Sequence, residues 1–305
     1  MPVQREDFTF HSPADQLVLE CTAIYPGQPR GIVQFVHGMA EHKARYFEAM
    51  EYLAQRGYAT VIHNHRGHGG CRIPGHFGKA GAEGLILDTR RLTDIAKEKF
   101  PGLPLYLFGH SMGSLVSRCY LKRYDRELSG LFLCGTPYTA PAAVRAGKAL
   151  ISLKILLHGD TRRDAQINRL VTGAFNRSVP NATSPNQWIS ANAENVTAFD
   201  QDPLCGFCFT LNGFRGLMDL MGEAYSPKGW KLENTGLPVH LLSGAEDPCH
   251  GGKASFLKSV RIIESKGYAV TWRLFDGMRH EILNEKEKDA VLAHIAEQLR
   301  KMEAR

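Results

Sequence analysis

The sequence predicts an α/β fold: a mostly parallel central sheet with helices on both faces and an inserted helical cap. Two observations predict it. Short β-branched runs alternate with segments of helical periodicity over both ends of the 305-residue chain, and roughly a hundred residues interrupt that rhythm after position 134. A strand-helix-strand unit needs only about 30 residues or somewhat more, so the interruption is an insertion.

The elements follow in order. Residues 17–25 and 32–36 read as strands, 46–56 as a helix and 58–64 as a strand. A helix over 84–99, a strand over 105–108, a helix over 112–123 and a strand over 131–134 continue the alternation. It resumes with a strand at 239–243, a helix at 252–266, a strand at 270–275 and a helix at 285–300. The reading assigns 1–137 and 236–305 to the α/β core and 138–235 to a helical cap or substrate lid over the carboxyl edge of the sheet, where open α/β folds place ligands.

Composition bounds the function classes. Hydrophobic residues make up 43% and charged residues 22%, and the net charge of +6 is spread along the chain, so no basic stripe points to nucleic acid. Seven cysteines, sparse and odd in number, argue against a disulfide framework. With no apolar leader and no stretch near the roughly 18 apolar residues of a membrane span, the expectation is a soluble cytoplasmic protein.

The chemistry centres on Gly109-His110-Ser111-Met112-Gly113, a G-x-S-x-G between a predicted strand and a predicted helix. The glycines suit a sharp turn that projects the Ser111 hydroxyl above the sheet at a helix N-terminus. A serine hydroxyl is a weak nucleophile near neutral pH, so a histidine must take its proton and a carboxylate must hold the histidine's tautomer. In chain order Ser, acid, His, the candidates are Asp247 and His280, each just past a predicted strand. Glu246 adjoins Asp247 and stays a rival acid, but Asp247 before Pro248 begins a turn that keeps a short carboxylate near the backbone. Asp276 is read as capping a turn and His110 as packing. Backbone N–H groups of Met39, in the His37-Gly38-Met39 loop, and of Met112 are the expected oxyanion donors.

Two other motifs receive blander readings. His63, His65 and His68 have H-x-H-x-x-H spacing, as in metal-dependent hydrolases, yet Gly67 stands where such sites usually carry Asp. Cys205 and Cys208 form a lone C-x-x-C, read as buried thiols. In the cap, Phe214, Leu217, Met218 and Met221 fall on one helical face, which either packs the cap down or lines an acyl channel; Phe207, Phe214 and Met218 are the candidate pocket residues.

Four segments resemble the α/β-hydrolase superfamily, specifically its monoacylglycerol lipase and lysophospholipase-like branch, also grouped with serine aminopeptidases. The run from His37 to Tyr46 is similar to its H-G-x-G-E-H-x-x-R-Y loop, and Asn64 to Gly69 to its D-x-R-G-H-G segment. Gly109 to Gly113 resembles its G-H-S-M-G turn, and Arg279 to Glu285 its R-H-E-x-x-N-E histidine loop. Ala40 stands where the branch has Gly, and Asn64 where it has Asp. The resemblance implies hydrolysis of monoacylglycerols, lysophospholipids or related acyl esters, a small-molecule ester as partner, transient contact with lipid surfaces through the cap, and no metal or organic cofactor. It leaves oligomeric state open. Alternatives are an aminopeptidase of the same fold, which would need acidic cap residues such as Glu194, Asp200, Asp202 or Asp219, a metal-dependent hydrolase, or a non-catalytic binding relative.

Overall fold

The computed structural model describes residues 2–304. Its strands β1 (Val3–His11), β2 (Val18–Pro26), β3 (Gly31–Val36), β4 (Tyr58–His63), β5 (Leu105–His110), β6 (Gly130–Cys134), β7 (Pro238–Gly244) and β8 (Ala269–Phe275) form one eight-stranded sheet in the order β1-β2-β4-β3-β5-β6-β7-β8. Only β2 runs against its neighbours; β4 through β8 pair in parallel. Every residue of β3, β4, β5 and β6 is buried, which is why these strands read as continuous apolar runs rather than as alternations. The register aligns their carboxyl ends: Val36 lies beside Gly109, His110 beside Cys134, and Gly244 beside Phe275. The loops that follow β3, β5, β7 and β8 therefore leave the sheet on one edge.

Helices α1 (Phe47–Ala54) and α9 (Lys288–Glu303) cover one face, α2 (Gly81–Lys99), α3 (Met112–Tyr124) and α8 (Lys253–Glu264) the other. Alternate β5 residues divide between the two cores: Leu105 and Leu107 join Leu85, Leu115 and Phe256, whereas Tyr106 and Phe108 join Met50, Leu53, Ile295 and Leu299. The chain between β6 and β7 holds α4 (Pro141–His158), α5 (Ala165–Val171), α6 (Ala193–Gln201) and α7 (Leu211–Ala224). α7 is not peripheral. Its buried residues belong to the same core as α2 and α3, and its Gly216 lets the Phe77 ring approach within contact of the helix backbone.

The sequence reading began its first strand at residue 17 and contained no β1. The reason is physical: β1 is an outer strand with a single buried residue, Phe10, so it carries little of the apolar signal that marks an interior strand.

Candidate active site

The turn from β5 into α3 places Ser111 at φ 53°, ψ −120°, a conformation that costs a non-glycine residue about 1–3 kcal/mol and persists only when its surroundings hold it. They do so here. The Ser111 N–H donates to the Cys134 carbonyl at 2.9 Å, and the Ser111 carbonyl accepts from the Ser114 N–H at 2.9 Å and the Ser114 hydroxyl at 2.6 Å. A side chain at Gly113 would run into the Val36 carbonyl, and one at Gly109 into the Gly113 carbonyl. With its backbone tied on both sides, Ser111 presents its side chain to a cavity of about 370 Å³ at the carboxyl edge of the sheet.

His280 and Asp247 meet beside it. Asp247 caps the turn Pro248–His250: one carboxylate oxygen accepts from the Cys249 N–H at 2.9 Å, and the other faces His280 Nδ1 at 3.0 Å and the Ser243 hydroxyl at 2.8 Å. Burial would raise the Asp247 pKa, but the charge and hydrogen bond of His280, with the Cys249 N–H, hold it down at about 2. Asp247 is 2% exposed, whereas Glu246 and Asp276 are exposed on the surface and do not face the histidine. Ser111 and His280 share the cavity without a hydrogen bond between them; Nε2 of His280 lies 4.0 Å from the Cys249 sulfur.

Two groups around His280 were not singled out from the sequence. The Trp188 ring of the inserted region lies 5.0 Å from the imidazole, centroid to centroid, and Cys249 borders the cavity next to Nε2. Neither has a local sequence signal, because the contacts span 92 and 31 residues of chain. The segment carrying Trp188 is pinned by residues flanking the histidine. Arg279 donates to the Gln187 and Ser190 carbonyls at 2.8 and 3.0 Å, and the Glu285 carboxylate accepts from the Ala191 and Asn192 N–H groups at 2.9 and 3.0 Å.

His110 does more than pack. Its Nε2 faces the His280 carbonyl at 3.2 Å, and its Nδ1 faces the Tyr46 hydroxyl at 2.9 Å and the Glu41 carboxylate at 3.3 Å. Burial disfavours its charge, but the Glu41 carboxylate more than offsets this and raises its pKa; reciprocally, burial would raise Glu41, and His110 holds it well below the usual carboxylate range. Glu41 also accepts the Gly38 N–H, which fixes the turn before Met39. Among the described residues, neither the Met39 N–H nor the Met112 N–H donates to a backbone acceptor, and both residues border the cavity next to Ser111.

Ala40 sits at φ 52°, in the left-handed region that favours glycine. It is held by its N–H donating to His68 Nε2 at 3.1 Å and by its carbonyl accepting from the Gly206 N–H at 2.9 Å. The remaining histidines buttress this loop: His37 Nε2 accepts from the His65 N–H at 2.9 Å, and the rings of His37, His63, His65 and His68 pack edge to face or tilted. Burial lowers the pKa of all four, with His63 at about 3 and His68 at about 4, so they are neutral.

The cavity wall is largely apolar. Phe207, Leu217 and Met221 border it, together with Trp188 and Phe199. Phe214 and Met218 do not: Phe214 is fully buried against Phe209, and Met218 turns toward α4 at Gly147. The helical face read from the sequence is thus buried throughout, but only its Leu217–Met221 side reaches the cavity. Of the acidic residues considered for binding an amino group, Asp200 accepts from Ser184 and Asn186, Asp202 faces His42, Asp219 pairs with Lys148 and Arg215, and Glu194 is exposed; none borders the cavity. Cys205 and Cys208 are free thiols. Among the described residues, two groups place metal-ligating atoms within 4.8 Å of one another: His42, Asp202 and Cys205, and Asp247, Cys249 and His280.

The chain is 27% identical over 267 residues to the monoacylglycerol lipase of Mycolicibacterium smegmatis, covering 87% of this chain and 86% of that one. It is 25% identical over 283 residues to the monoglyceride lipase of Homo sapiens, covering 89% and 82%. A highly thermostable carboxyl esterase from Bacillus coagulans, crystallised with glycerol, superposes with a TM-score of 0.89 at 25% identity over 98% of both chains. The family described as serine aminopeptidase, S33 matches residues 27–287. Spanning β3 through β8 and everything inserted between them, that match makes this chain a member of the S33 family of α/β-hydrolases.

Proposed function

We propose that this protein is a serine carboxylester hydrolase that cleaves monoacylglycerols, lysophospholipids or related acyl esters through an acyl-enzyme on Ser111. The observation that carries the reading is a strained, backbone-pinned serine sharing one largely apolar cavity with a histidine that a buried aspartate holds from behind. Asp247 keeps the proton of His280 on Nδ1, leaving Nε2 free to accept the Ser111 proton as the hydroxyl attacks the ester carbonyl. The Met39 and Met112 N–H groups stabilise the oxyanion. His280 then returns the proton to the leaving alcohol, and water repeats the sequence on the acyl-enzyme.

Residues 138–235 act as the cap, with Phe207, Leu217 and Met221 as walls for the acyl chain. An ester is favoured over a peptide because, among the described residues, no unpaired carboxylate borders the cavity: Glu41 is bound to His110 and Glu281 to Arg45 and Asn195. On the outside of the cap, Leu153, Leu156 and Leu157 of α4 and Leu170 of α5 are 54%, 81%, 64% and 68% exposed; α5 also borders the cavity through Asn168 and Val171. This apolar row is the surface for transient contact with lipid. Seven free thiols fit a reducing, cytoplasmic setting. Among the described residues, no helix is long and apolar enough to cross a membrane.

The test joins a fluorophosphonate label, expected as a mass shift on Ser111, to rates on esters of increasing acyl length and on an amino-acyl amide. Labelling elsewhere, or faster cleavage of the amide, overturns the proposal.

A further inference from the structure

We propose that His68 is a positioning residue for ester hydrolysis: its imidazole, acting with that of His37 across the loop, aims the Met39 N–H at the developing oxyanion. The proposal rests on the Ser111 mechanism given above. The Ala40 N–H, one residue past the donor, bonds to His68 Nε2 at 3.1 Å, and the opposite ring nitrogen, Nδ1, faces the Arg66 carbonyl at 3.1 Å. A carbonyl only accepts, so the His68 proton sits on Nδ1 and Nε2 presents a lone pair. On the other side of Met39, His37 Nδ1 faces the Gly38 carbonyl at 2.9 Å while its Nε2 accepts the His65 N–H at 2.9 Å, which fixes the same tautomer there.

Both peptide groups that meet at Met39 are thereby held by an imidazole. The Gly38 carbonyl and the Met39 N–H belong to one planar trans peptide and point in opposite directions, so the bond from His37 turns the Met39 N–H away from that ring. The next peptide ends in the Ala40 N–H, and Ala40 stands at φ 52°, where an alanine stays only if its surroundings hold it. His68 holds its N–H, and the Gly206 N–H holds its carbonyl at 2.9 Å. Without the His68 lone pair, Ala40 is free to relax to a negative φ, and the peptide that turns with it is the one that follows Met39. The His68 ring is itself fixed, since Phe77, Phe207 and Phe209 pack around it with centroids at 6.1, 5.4 and 5.3 Å. The clamp needs a neutral ring, because a proton on Nε2 would set one N–H against another. Burial holds the His68 pKa down at about 4, against the pull of the Arg66 carbonyl and the Glu41 charge, so the lone pair is present near neutral pH.

Amide side chains separate the two ring nitrogens. Glutamine places its amide near Nε2 and asparagine near Nδ1, so His68→Gln keeps an acceptor for the Ala40 N–H and His68→Asn does not. At His37 the order reverses, because there Asn keeps the donor to the Gly38 carbonyl. Each variant is assayed on a soluble short-chain ester and on its thiono analogue, whose C=S sulfur is a poor acceptor and draws little on the oxyanion donors. His68→Asn and His37→Gln are expected to lower kcat on the oxygen ester by about 10- to 100-fold with KM little changed, less than the roughly 10²–10³-fold of deleting an oxyanion donor, and to spare the thiono ester. His68→Gln and His37→Asn are expected to stay within about threefold of wild type on both. The ratio of the two rates is independent of how much of a sample is folded, so damage to packing alone leaves it unchanged. An unchanged ratio in His68→Asn, or equal behaviour of His68→Gln and His68→Asn, overturns the assignment. Turnover retained in Ser111→Ala refutes the Ser111 mechanism instead; turnover lost there, with the ratio unchanged in His68→Asn, refutes the clamp alone.

Discussion

Replacing Asp247 by Asn tests the acid assignment in two independent measurements. The carboxylate is 2% exposed, accepts from His280, Ser243 and the Cys249 N–H, and has a pKa of about 2 in the folded protein. Against about 3.9 for an unfolded aspartate, the difference is worth about 2.5 kcal/mol of folding stability. Because the folded value is the lower one, this contribution is complete above about pH 4 and is lost as the pH falls through 2. The amide cannot accept the Nδ1 proton at both of its heteroatoms, and where its NH₂ faces the ring the imidazole proton moves to Nε2, the nitrogen that receives the Ser111 proton in the proposed mechanism. We expect kcat on a short-chain ester to fall by about 10³–10⁴-fold. In urea unfolding, the stability gap between wild type and Asp247→Asn should be near 2 kcal/mol at about pH 6 and should narrow steadily below about pH 4. Glu246→Gln, an exposed change, should leave both readouts near wild type. A loss under tenfold for Asp247→Asn, a large loss for Glu246→Gln, or a stability gap indifferent to pH would refute the assignment.

Leu217→Ser and Met221→Ser should depress kcat/KM for long-chain esters far more than for acetate esters, since each buried methylene is worth about 0.8 kcal/mol or roughly fourfold; Phe214→Ala should instead cost about 3–5 kcal/mol of stability and affect both substrates alike. Loss of chain-length discrimination only in Phe214→Ala would reverse that division of the helix. Trp188→Leu should lower kcat by about fivefold to tenfold on long and short esters together, because the indole face supports the imidazolium that forms on His280; unchanged kcat would make Trp188 a cap residue only. Ala40→Gly should be at least as stable as wild type, whereas Ala40→Val, β-branched at a positive φ, should lose about 1–2 kcal/mol in denaturant unfolding; equal stability of the two would show that the loop relaxes out of the left-handed region. Leu153→Glu/Leu156→Glu should slow hydrolysis of a monoacylglycerol presented in vesicles and spare a soluble ester, and equal rates on both would remove the lipid-contact surface.

What could be read from the sequence depended on how local the physical constraint was. The Ser111 turn was legible because both flanking glycines and the order strand, turn, helix are imposed by neighbours within a few residues. Asp247 was separable from Glu246 because Pro248 makes the turn that buries one and leaves the other in water. The α7 periodicity correctly marked a buried face, but burial alone does not say against what: Phe214 meets Phe209, and Leu217 meets the cavity, one turn away on the same helix. Trp188 and Cys249 were out of reach for the same reason, since each acquires its position only when a segment between β6 and β7 or a neighbouring loop folds over His280. The motif residues themselves prove to be parts of one network. Gly38 donates to Glu41, Glu41 binds His110 beside Ser111, and His110 reaches the backbone of His280, whose neighbours Arg279 and Glu285 hold the segment bearing Trp188. The Gly38–Glu41 loop, the Ser111 turn and the His280 loop are mechanically connected through buried hydrogen bonds to one another and to the Trp188 segment, so three motif segments far apart in the chain carry a joint signal that none of them carries alone.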